Sequence, residues 1–245
     1  MRKTQHLISK LEQFTGLGGE EKQALEDAVV GVIDYRAKED IILQGDRPDH
    51  VHLLASGWAC RYKLVPDGGR QIMAYLIPGD LCDVQVALLD RMDHSISALS
   101  ACEVYTLPLA SLSDLMNKYY TISRALWWST LLDEAILREW LVGMGRRSAE
   151  KRLGHLICEM WLRSKAVGLT ERTHFEMAVT QEDLADTMGI TPEHMSRCFQ
   201  TLRGKGLIST DGRRMTIGDL DHLIAFSDFD PLYLHQQRKV AFVRL

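Results

Sequence analysis

The sequence lacks the features that mark disulfide-linked proteins, metal-cluster proteins and membrane proteins. It has only 5 cysteines among 245 residues, and no two of them have the C-x-x-C spacing that suits an iron–sulfur cluster or zinc. Each is therefore predicted to be a small buried residue in a reducing compartment: Cys60, Cys82, Cys102, Cys158 and Cys198. No apolar run reaches membrane-spanning length, which predicts a cytoplasmic protein with no membrane contact.

Catalytic motifs are also missing. The chain has no G-x-S-x-G, no phosphate-loop lysine motif, no H-E-x-x-H and no dinucleotide-binding glycine fingerprint. Asp80 and Asp83 lie close in sequence, but neither has a nearby base partner. We therefore expect a protein that is not an enzyme.

Charge of either sign is unevenly spread. The whole chain has a formal net charge of −4. From residue 146 onward it carries 15 Lys and Arg against 13 Asp and Glu, whereas the preceding part carries 14 against 20. The C-terminal part is thus the half better suited to approach a phosphate backbone.

The segment TQEDLADTMGITPEHMSR, from Thr180 to Arg197, has the pattern of a helix-turn-helix. Thr180 is placed to cap a first helix through Asp183, three residues on. Gly189 suits the tight turn. Thr191 and Pro192 then begin a second helix, with threonine at the N-cap and proline in the first turn.

The second helix has an apolar face and a polar face. Met195, Phe199 and Leu202 recur at helical spacing and are predicted to face the core. Arginine suits guanine, glutamate accepts from a cytosine amino group, and serine serves base or phosphate. The outward residues are Glu193, His194, Ser196, Arg197 and Gln200. The following GLISTDGRRM predicts a small β hairpin, the wing.

The rest of the chain divides into helical and β-rich stretches. Residues 7–33 have helical apolar spacing, and residues 35–109 form short β-rich runs with a strong hairpin signal at Pro66-Asp67-Gly68-Gly69. Such runs suggest a β-roll or jelly-roll barrel. Residues 111–147 are predicted to be one uninterrupted helix, apolar on more than one face.

These motifs together resemble the CRP/FNR transcription regulators over nearly the whole chain. The N-terminal part has the family's spacing of Gly45-Asp46, Ser56-Gly57 and Pro78-Gly79-Asp80. The resemblance implies an α+β fold with three parts. These are a cyclic-nucleotide-binding-like sensor β-roll with N-terminal helices (1–110), a long dimerisation helix (111–147) and a winged helix-turn-helix (148–245).

The resemblance also implies which residues read DNA. The family's E-x-x-S-R pattern matches Glu193, Ser196 and Arg197, and Pro192 stands where cyclic-AMP regulators have arginine. This implies an FNR-like reader of a TTGA…TCAA palindrome. We assign Arg197 to guanine, Glu193 to the opposing cytosine or adenine amino group, and Ser196 to thymine or the adjacent base, with His194 on the same surface. The predicted phosphate contacts are Thr180, Gln181, Thr191, Arg213 and Arg214.

Family resemblance further implies a homodimer, with double-stranded DNA as partner and RNA polymerase as a second partner if the protein is an activator. A seam with alternating four- and three-residue spacing is expected on the long helix. Its members are Trp127, Thr130, Glu134, Leu137, Leu141 and Met144. The polar Thr130 and Glu134 would weaken the association.

The effector is the least determined part of this interpretation. Anchored on the family's motifs, the arginine and glutamate that hold a cyclic nucleotide fall here on Met92 and Val84, so no cyclic-AMP binding is expected. The chain also lacks the N-terminal cysteines of cluster-binding members, because none precedes Cys60. Haem stays open through His50, His52, His94 or Cys82, as does a redox response at Cys198 or a regulator that needs no effector.

A hypothesis of a different class is a signalling adaptor whose helix-turn-helix binds protein. The intact Glu193, Ser196 and Arg197 set argues against it. The segment from Phe229 onward extends past the wing and is expected to pack on the C-terminal domain.

Overall fold

A computed structural model describes residues 3–89 and 91–236 of the chain. It has the predicted α+β architecture. An N-terminal domain of antiparallel β-sheets is followed by a long helix and a smaller helical domain that carries its own sheet.

The N-terminal domain begins with α1 (Gln5–Leu11) and α2 (Gly19–Asp27). Its strands are β1 (Gly31–Tyr35), β2 (Asp40–Ile42), β3 (His50–Ser56), β4 (Ala59–Leu64), β5 (Arg70–Leu76), β6 (Ser95–Ala98) and β7 (Cys102–Pro108). They form two antiparallel sheets with the orders β1-β7-β3 and β2-β6-β4-β5. The helical pattern expected over residues 7–33 is wrong at its end, because β1 pairs with β7 from Gly31 onward.

Two turns of the N-terminal domain lie at motifs noted in the sequence. Residues 66–69 join β4 to β5 as a hairpin, as predicted. Gly79 has a positive φ of 97°, and a Cβ there would lie 2.7 Å from the backbone of His6 in α1. Only glycine satisfies both the conformation and this close approach of helix to turn.

The predicted single helix over residues 111–147 is wrong. The structure has α3 (Leu109–Lys118) and a 27-residue α4 (Tyr120–Arg146), separated at Tyr119, whose φ of −118° and ψ of 98° are extended. The Ser123 hydroxyl donates to the Met116 carbonyl at 2.6 Å and satisfies a helix-end acceptor at the junction. No glycine or proline marks the break, which lets α3 pack on β7 and β3 while α4 runs toward the second domain.

The C-terminal domain contains α5 (Ala149–Ala166), α6 (Gln181–Met188), α7 (Pro192–Gly204) and α8 (Leu220–Ser227). Its strands are β8 (Thr170–Glu171), β9 (His174–Glu176), β10 (Ile208–Asp211) and β11 (Arg214–Ile217), in the order β10-β11-β9-β8. A 3₁₀ turn (Pro231–Leu234) follows, and Tyr233 donates to Glu159 of α5 at 2.9 Å. The expected packing of the segment after Phe229 is thus confirmed up to residue 236, and its remainder lies outside the described residues.

Two hydrophobic cores meet along α4. Ile122, Ala125 and Leu126 belong to the core of the N-terminal domain. Leu132 and Ile136, about two to three turns beyond Leu126, belong to the core of the C-terminal domain, which also includes Tyr75 and its neighbours from β4 and β5. A single helix therefore contributes to both cores, and the outer face of the β4–β5 hairpin is buried against the second domain. The domain limits drawn from the sequence stay a prediction.

None of the helices within residues 3–89 and 91–236 is long and apolar enough to cross a membrane.

Candidate DNA-binding surface

Local hydrogen bonds fix the two helices of the helix-turn-helix as the sequence predicted. The Thr180 hydroxyl accepts from the Asp183 N–H at 3.1 Å, and the Asp183 carboxylate accepts from the Thr180 N–H at 3.0 Å, so the capping box is complete. Gly189 is left-handed with φ 61°. Thr191 caps α7 by accepting from the His194 N–H at 3.3 Å, with Pro192 in the first turn. The turn geometry therefore follows from four short-range sequence signals.

Helix α7 presents the polar face that the sequence predicted. Met195 and Leu202 are fully buried and Phe199 is nearly so. Glu193, Arg197 and Gln200 are exposed, while His194 and Ser196 are half-buried at the edge of the same face. The helix can thus enter a groove without uncovering its core.

Both charged residues of this face can make polar contacts with a ligand. The pKa of Glu193 is lowered by its own backbone N–H at the helix N-terminus and by Thr191, so its carboxylate is an acceptor at neutral pH. Within residues 3–89 and 91–236, the guanidinium of Arg197 has no hydrogen-bond or ion-pair partner. Its donors are therefore available to an acceptor outside the chain.

The predicted phosphate contacts lie around α7. Gln181 is exposed in the first turn of α6, and Thr180 and Thr191 are exposed N-caps. Arg213 and Arg214 stand at the β10–β11 turn, where Arg214 lies 3.4 Å from Glu171 and both side chains are exposed. All five side chains are accessible, but both threonine hydroxyls already accept hydrogen bonds as helix N-caps.

One residue that couples the wing to α7 was missed by the sequence reasoning. Arg203 donates to the Thr210 hydroxyl of β10 at 2.5 Å and lies over the Phe199 ring. This contact fixes the wing relative to the recognition helix. Its signal in the sequence is only a basic residue in the last turn of a helix, which is common.

The predicted seam on α4 is solvent-exposed in the single chain. Trp127 is 66% exposed and Leu141 71% exposed, and Leu137 and Met144 are about half exposed. Glu134 pairs with Arg138 at 2.6 Å, and the Thr130 hydroxyl donates back to the Leu126 carbonyl at 3.2 Å. Two further exposed apolar residues extend this row: Leu131 and Val142. An apolar row of this size on one helix is typical of an interaction surface.

The interior of the sensor domain contains neither of the charged groups that a cyclic nucleotide would need at the matched positions. Met92 is 2% exposed, with its sulfur 3.9 Å from the Gln85 amide nitrogen, and Val84 begins a 3₁₀ turn (Val84–Ala87). The nearby Arg61 donates to Asp133 of α4 at 2.8 Å. This guanidinium is therefore already paired across the domain.

The histidines considered for haem each have a carboxylate partner. His52 Nδ1 lies 2.8 Å from the fully buried Asp83. His50 and His94 each pair with the aspartate that precedes them at 2.6 Å. Burial raises the pKa of the Cys82 thiol well above its usual value, which disfavours the thiolate that would ligate iron.

An ion-paired joint between the two domains was also missed. Arg70 of β5 donates to Asp183 and Asp186 of α6, each at 2.6 Å. The Tyr75 hydroxyl bonds Thr187 in the same helix. These partners are more than a hundred positions apart, so the sequence has no local signal for them. The first helix of the helix-turn-helix is thereby held against the sensor domain.

Comparison with known proteins identifies the class of protein. Residues 32–119 match the cyclic nucleotide-binding domain family, and residues 151–226 match the Crp-like helix-turn-helix domain family. The chain is a transcription regulator of the CRP/FNR family.

Its relatives lie on the FNR side of that family. The transcriptional activator protein FnrL of Cereibacter sphaeroides is 27% identical over 186 residues, which are 75% of this chain and 74% of FnrL. The nitrogen fixation regulation protein FixK of Azorhizobium caulinodans is 27% identical over 78% of this chain and 76% of that protein. FixK2 from Bradyrhizobium japonicum superimposes with a TM-score of 0.73 at 24% identity, over 81% of this chain and 97% of that chain, and so supports the fold.

Proposed function

We propose that the protein binds a palindromic operator of the TTGA…TCAA type as a homodimer and regulates transcription there. Each α7 would enter the major groove of one half-site, with the two half-sites about one helical turn apart. Arg197 would contact guanine, Glu193 the opposing amino group, and Ser196 the adjacent base. Thr180, Gln181, Thr191, Arg213 and Arg214 would contact phosphates, with His194 beside them.

The observation that carries the proposal is that Glu193 and Arg197 lie next to each other on one exposed face of α7. They lie one turn apart on a helix whose start is fixed by a cap and a proline. A solvated helix face often carries such a pair, but here the capped first helix and the wing flank it. The same combination argues against an adaptor that binds protein.

The exposed row on α4 supports the homodimer. A parallel pairing of two α4 helices would cover Trp127, Leu137 and Leu141 and would place the two α7 helices on the same side of the dimer. Because a dimer engages two half-sites at once, a reader domain with little excess positive charge can still bind tightly.

The relatives FnrL and FixK suggest how the protein acts, since FnrL is named an activator. We propose activation, with RNA polymerase as the second partner. The effector would be something other than cyclic AMP, or there would be none, because Met92 and Val84 replace the charged groups that would hold the nucleotide. No catalytic step is part of this function.

Fluorescence anisotropy with a TTGA…TCAA duplex and a scrambled duplex, at near-physiological salt and without added ligand, tests the proposal. We expect selective binding to the palindrome. Equal affinity for both duplexes, in a protein shown to be dimeric, would contradict the reading assignment. An electrophoretic shift in the presence of cyclic AMP, unchanged from its absence, would agree with the effector assignment.

The dimer is tested by Glu134→Leu. The Glu134–Arg138 pair is exposed and contributes less than about 1 kcal/mol, whereas leucine would extend the apolar row. We expect a lower dimer dissociation constant in analytical ultracentrifugation. The matched control is Glu20→Leu on the exposed side of α2, which should leave the constant unchanged. If Glu134→Leu also leaves it unchanged, α4 is not the seam.

A further inference from the structure

Three possible metal ligands lie close together near the N-terminal end of the recognition helix, α7. Glu150 lies in the first turn of α5, and His194 and Cys198 lie in α7. One ligand atom from each residue lies within 4.8 Å of the other two. His194 and Cys198 are four residues apart and so share one face of α7, one turn from each other.

The donor set selects a class of metal. An imidazole nitrogen, a thiolate sulfur and a carboxylate oxygen suit Zn²⁺ and neighbouring transition metals, whereas Mg²⁺ and Ca²⁺ prefer oxygen alone. At the usual bond lengths to tetrahedral zinc, the ligand atoms stand roughly 3.5 Å apart. Small side-chain rotations would therefore bring the three donors onto one ion.

The three side chains of the cluster differ in burial. Cys198 is fully buried, while Glu150 and His194 are half-buried where α5 packs against α7. An ion held there would have protein on one side and water on the other. Three protein ligands and one open position for water would complete a tetrahedron.

The charges around the cluster are mixed. Glu150 supplies an anionic ligand, and the cations Arg152 and Arg197 lie near the cluster. Burial, and then this carboxylate, raises the pKa of the Cys198 thiol. A bound cation would favour the thiolate and displace its proton, so metal affinity should rise with pH.

We propose that Glu150, His194 and Cys198 form a binding site for Zn²⁺. The sequence predicted no metal site, since its cysteines have no metal-binding spacing and Glu150 belongs to a different helix. The ion would tie α7 to the start of α5, immediately after α4 ends, and would occupy the His194 imidazole. If the proposed operator binding holds, the bound ion weakens it, because His194 is then withdrawn from the DNA-facing surface.

Cobalt titration of the full-length, untagged, reduced and chelator-treated protein tests the site without DNA. We expect one Co²⁺ per chain, a thiolate-to-cobalt charge-transfer band, visible d–d bands of tetrahedral cobalt, and loss of both on adding Zn²⁺. Cys198→Ala should abolish the charge-transfer band. Glu150→Gln and His194→Ala should weaken binding at least about tenfold, which is already the cost of losing a ligand's hydrogen-bond partner.

The controls use the same residue types outside the cluster. Cys158→Ala removes another buried cysteine, and His222→Ala removes an exposed histidine of α8. Both should bind Co²⁺ like the unmodified chain, and circular dichroism should show that every variant is folded. Absence of the bands, or bands that survive Cys198→Ala in a folded protein, would overturn the site.

A second measurement separates the site from its effect on DNA. Operator binding by the metal-free protein tests the proposed function alone. Addition of Zn²⁺ should then weaken operator binding several-fold in the unmodified chain and leave Cys198→Ala unaffected. If cobalt binds as expected but Zn²⁺ leaves operator affinity unchanged, the metal site stands and its control of DNA binding is wrong.

Discussion

Charged side chains in the interior of the sensor domain differ from those on the outer face of the recognition helix α7 in whether they have partners within the chain. In the sensor domain, Asp83 is bound by His52, Arg61 by Asp133, and Asp80 by Lys10 and Arg163. On α7, Arg197 keeps donors that no described residue uses. Charged groups in the first region hold the fold together, whereas those in the second are available to a ligand. Substitutions in the first region should therefore lower stability, whereas those in the second should lower DNA affinity.

The largest expected effect is a loss of stability at Asp80, whose side chain links the turn at residues 78–80 to α1 and α5. Its carboxylate lies 2.8 Å from Lys10 of α1 and 2.9 Å from Arg163 of α5, and all three side chains are almost fully buried. Although burial raises its pKa, the two cations outweigh this and lower it. Asp80→Ala would leave two buried cations unpaired, and we expect the free energy of unfolding to fall by about 3–5 kcal/mol.

Chemical denaturation measures this loss, and Lys10→Met serves as its control. That variant removes one cation and leaves Asp80 paired with Arg163, so a smaller loss is expected. Where Asp80→Ala remains folded, its preference for the palindrome over the scrambled duplex should be unchanged. A loss of that preference without loss of stability would break the contrast between the two regions.

The next effect is a pH dependence at the joint between α4 and α5. Burial, and then Arg147, lowers the pKa of His155 from 6.5 to about 4, against the opposing effect of Glu139. The unfolded chain therefore binds a proton below pH 6.5 that the folded chain binds only near pH 4. The contribution of neutral His155 to the free energy of unfolding is complete above pH 6.5. It should fall by roughly 3 kcal/mol as the pH drops to 4.

His155→Phe removes this titration and keeps an aromatic ring against Phe229 and Tyr233, whose centroids lie 4.8 and 5.7 Å away. Denaturation at a series of pH values should give a shallower loss of stability in acid than for the unmodified chain. Parallel curves for the two proteins would show that His155 is not the titrating group.

On the recognition helix, the expected effect is on binding and not on stability. Arg197→Ala removes an exposed guanidinium that has no partner among the described residues, so the melting temperature should hardly change. Operator affinity should fall by about 1–3 kcal/mol per half-site, with relaxed preference at the guanine position. Anisotropy with single-base operator variants measures both. Arg36→Ala, an exposed arginine of the sensor domain, is the matched control and should behave like the unmodified chain.

The smallest effect is expected at the wing. Arg213→Ala should weaken binding to palindromic and scrambled duplexes alike and reduce the slope of log affinity against log salt by about 1. Titration at several salt concentrations measures that slope. A selective loss on the palindrome would move Arg213 from the phosphate-contacting residues to the base-reading ones.

Local sequence signals were sufficient for the helix-turn-helix. Capping by Thr180 and Thr191, the left-handed Gly189 and the burial of Met195 and Leu202 depend on neighbours within a few residues. The hairpin at residues 66–69 is of the same kind. These features were predictable because each combines a short-range hydrogen bond or backbone requirement with apolar spacing.

The sequence could not reveal contacts between distant segments. The break at Tyr119 has no glycine or proline and exists because α3 and α4 pack on different partners. The Arg70 pairs with Asp183 and Asp186 bridge the two domains. Nothing in the local composition around either segment distinguishes these arginine and aspartate residues from solvated surface charges.

The sequence by itself determined the class of fold, the helix-turn-helix and its outward residues, because apolar periodicity, caps and turns act over one or two helical turns. Tertiary structure decided where α4 begins, how the reader domain is held on the sensor domain, and which side chains meet at Glu150, His194 and Cys198. Those outcomes depend on packing and electrostatic pairing between segments far apart in the chain, which only the folded molecule brings within contact distance.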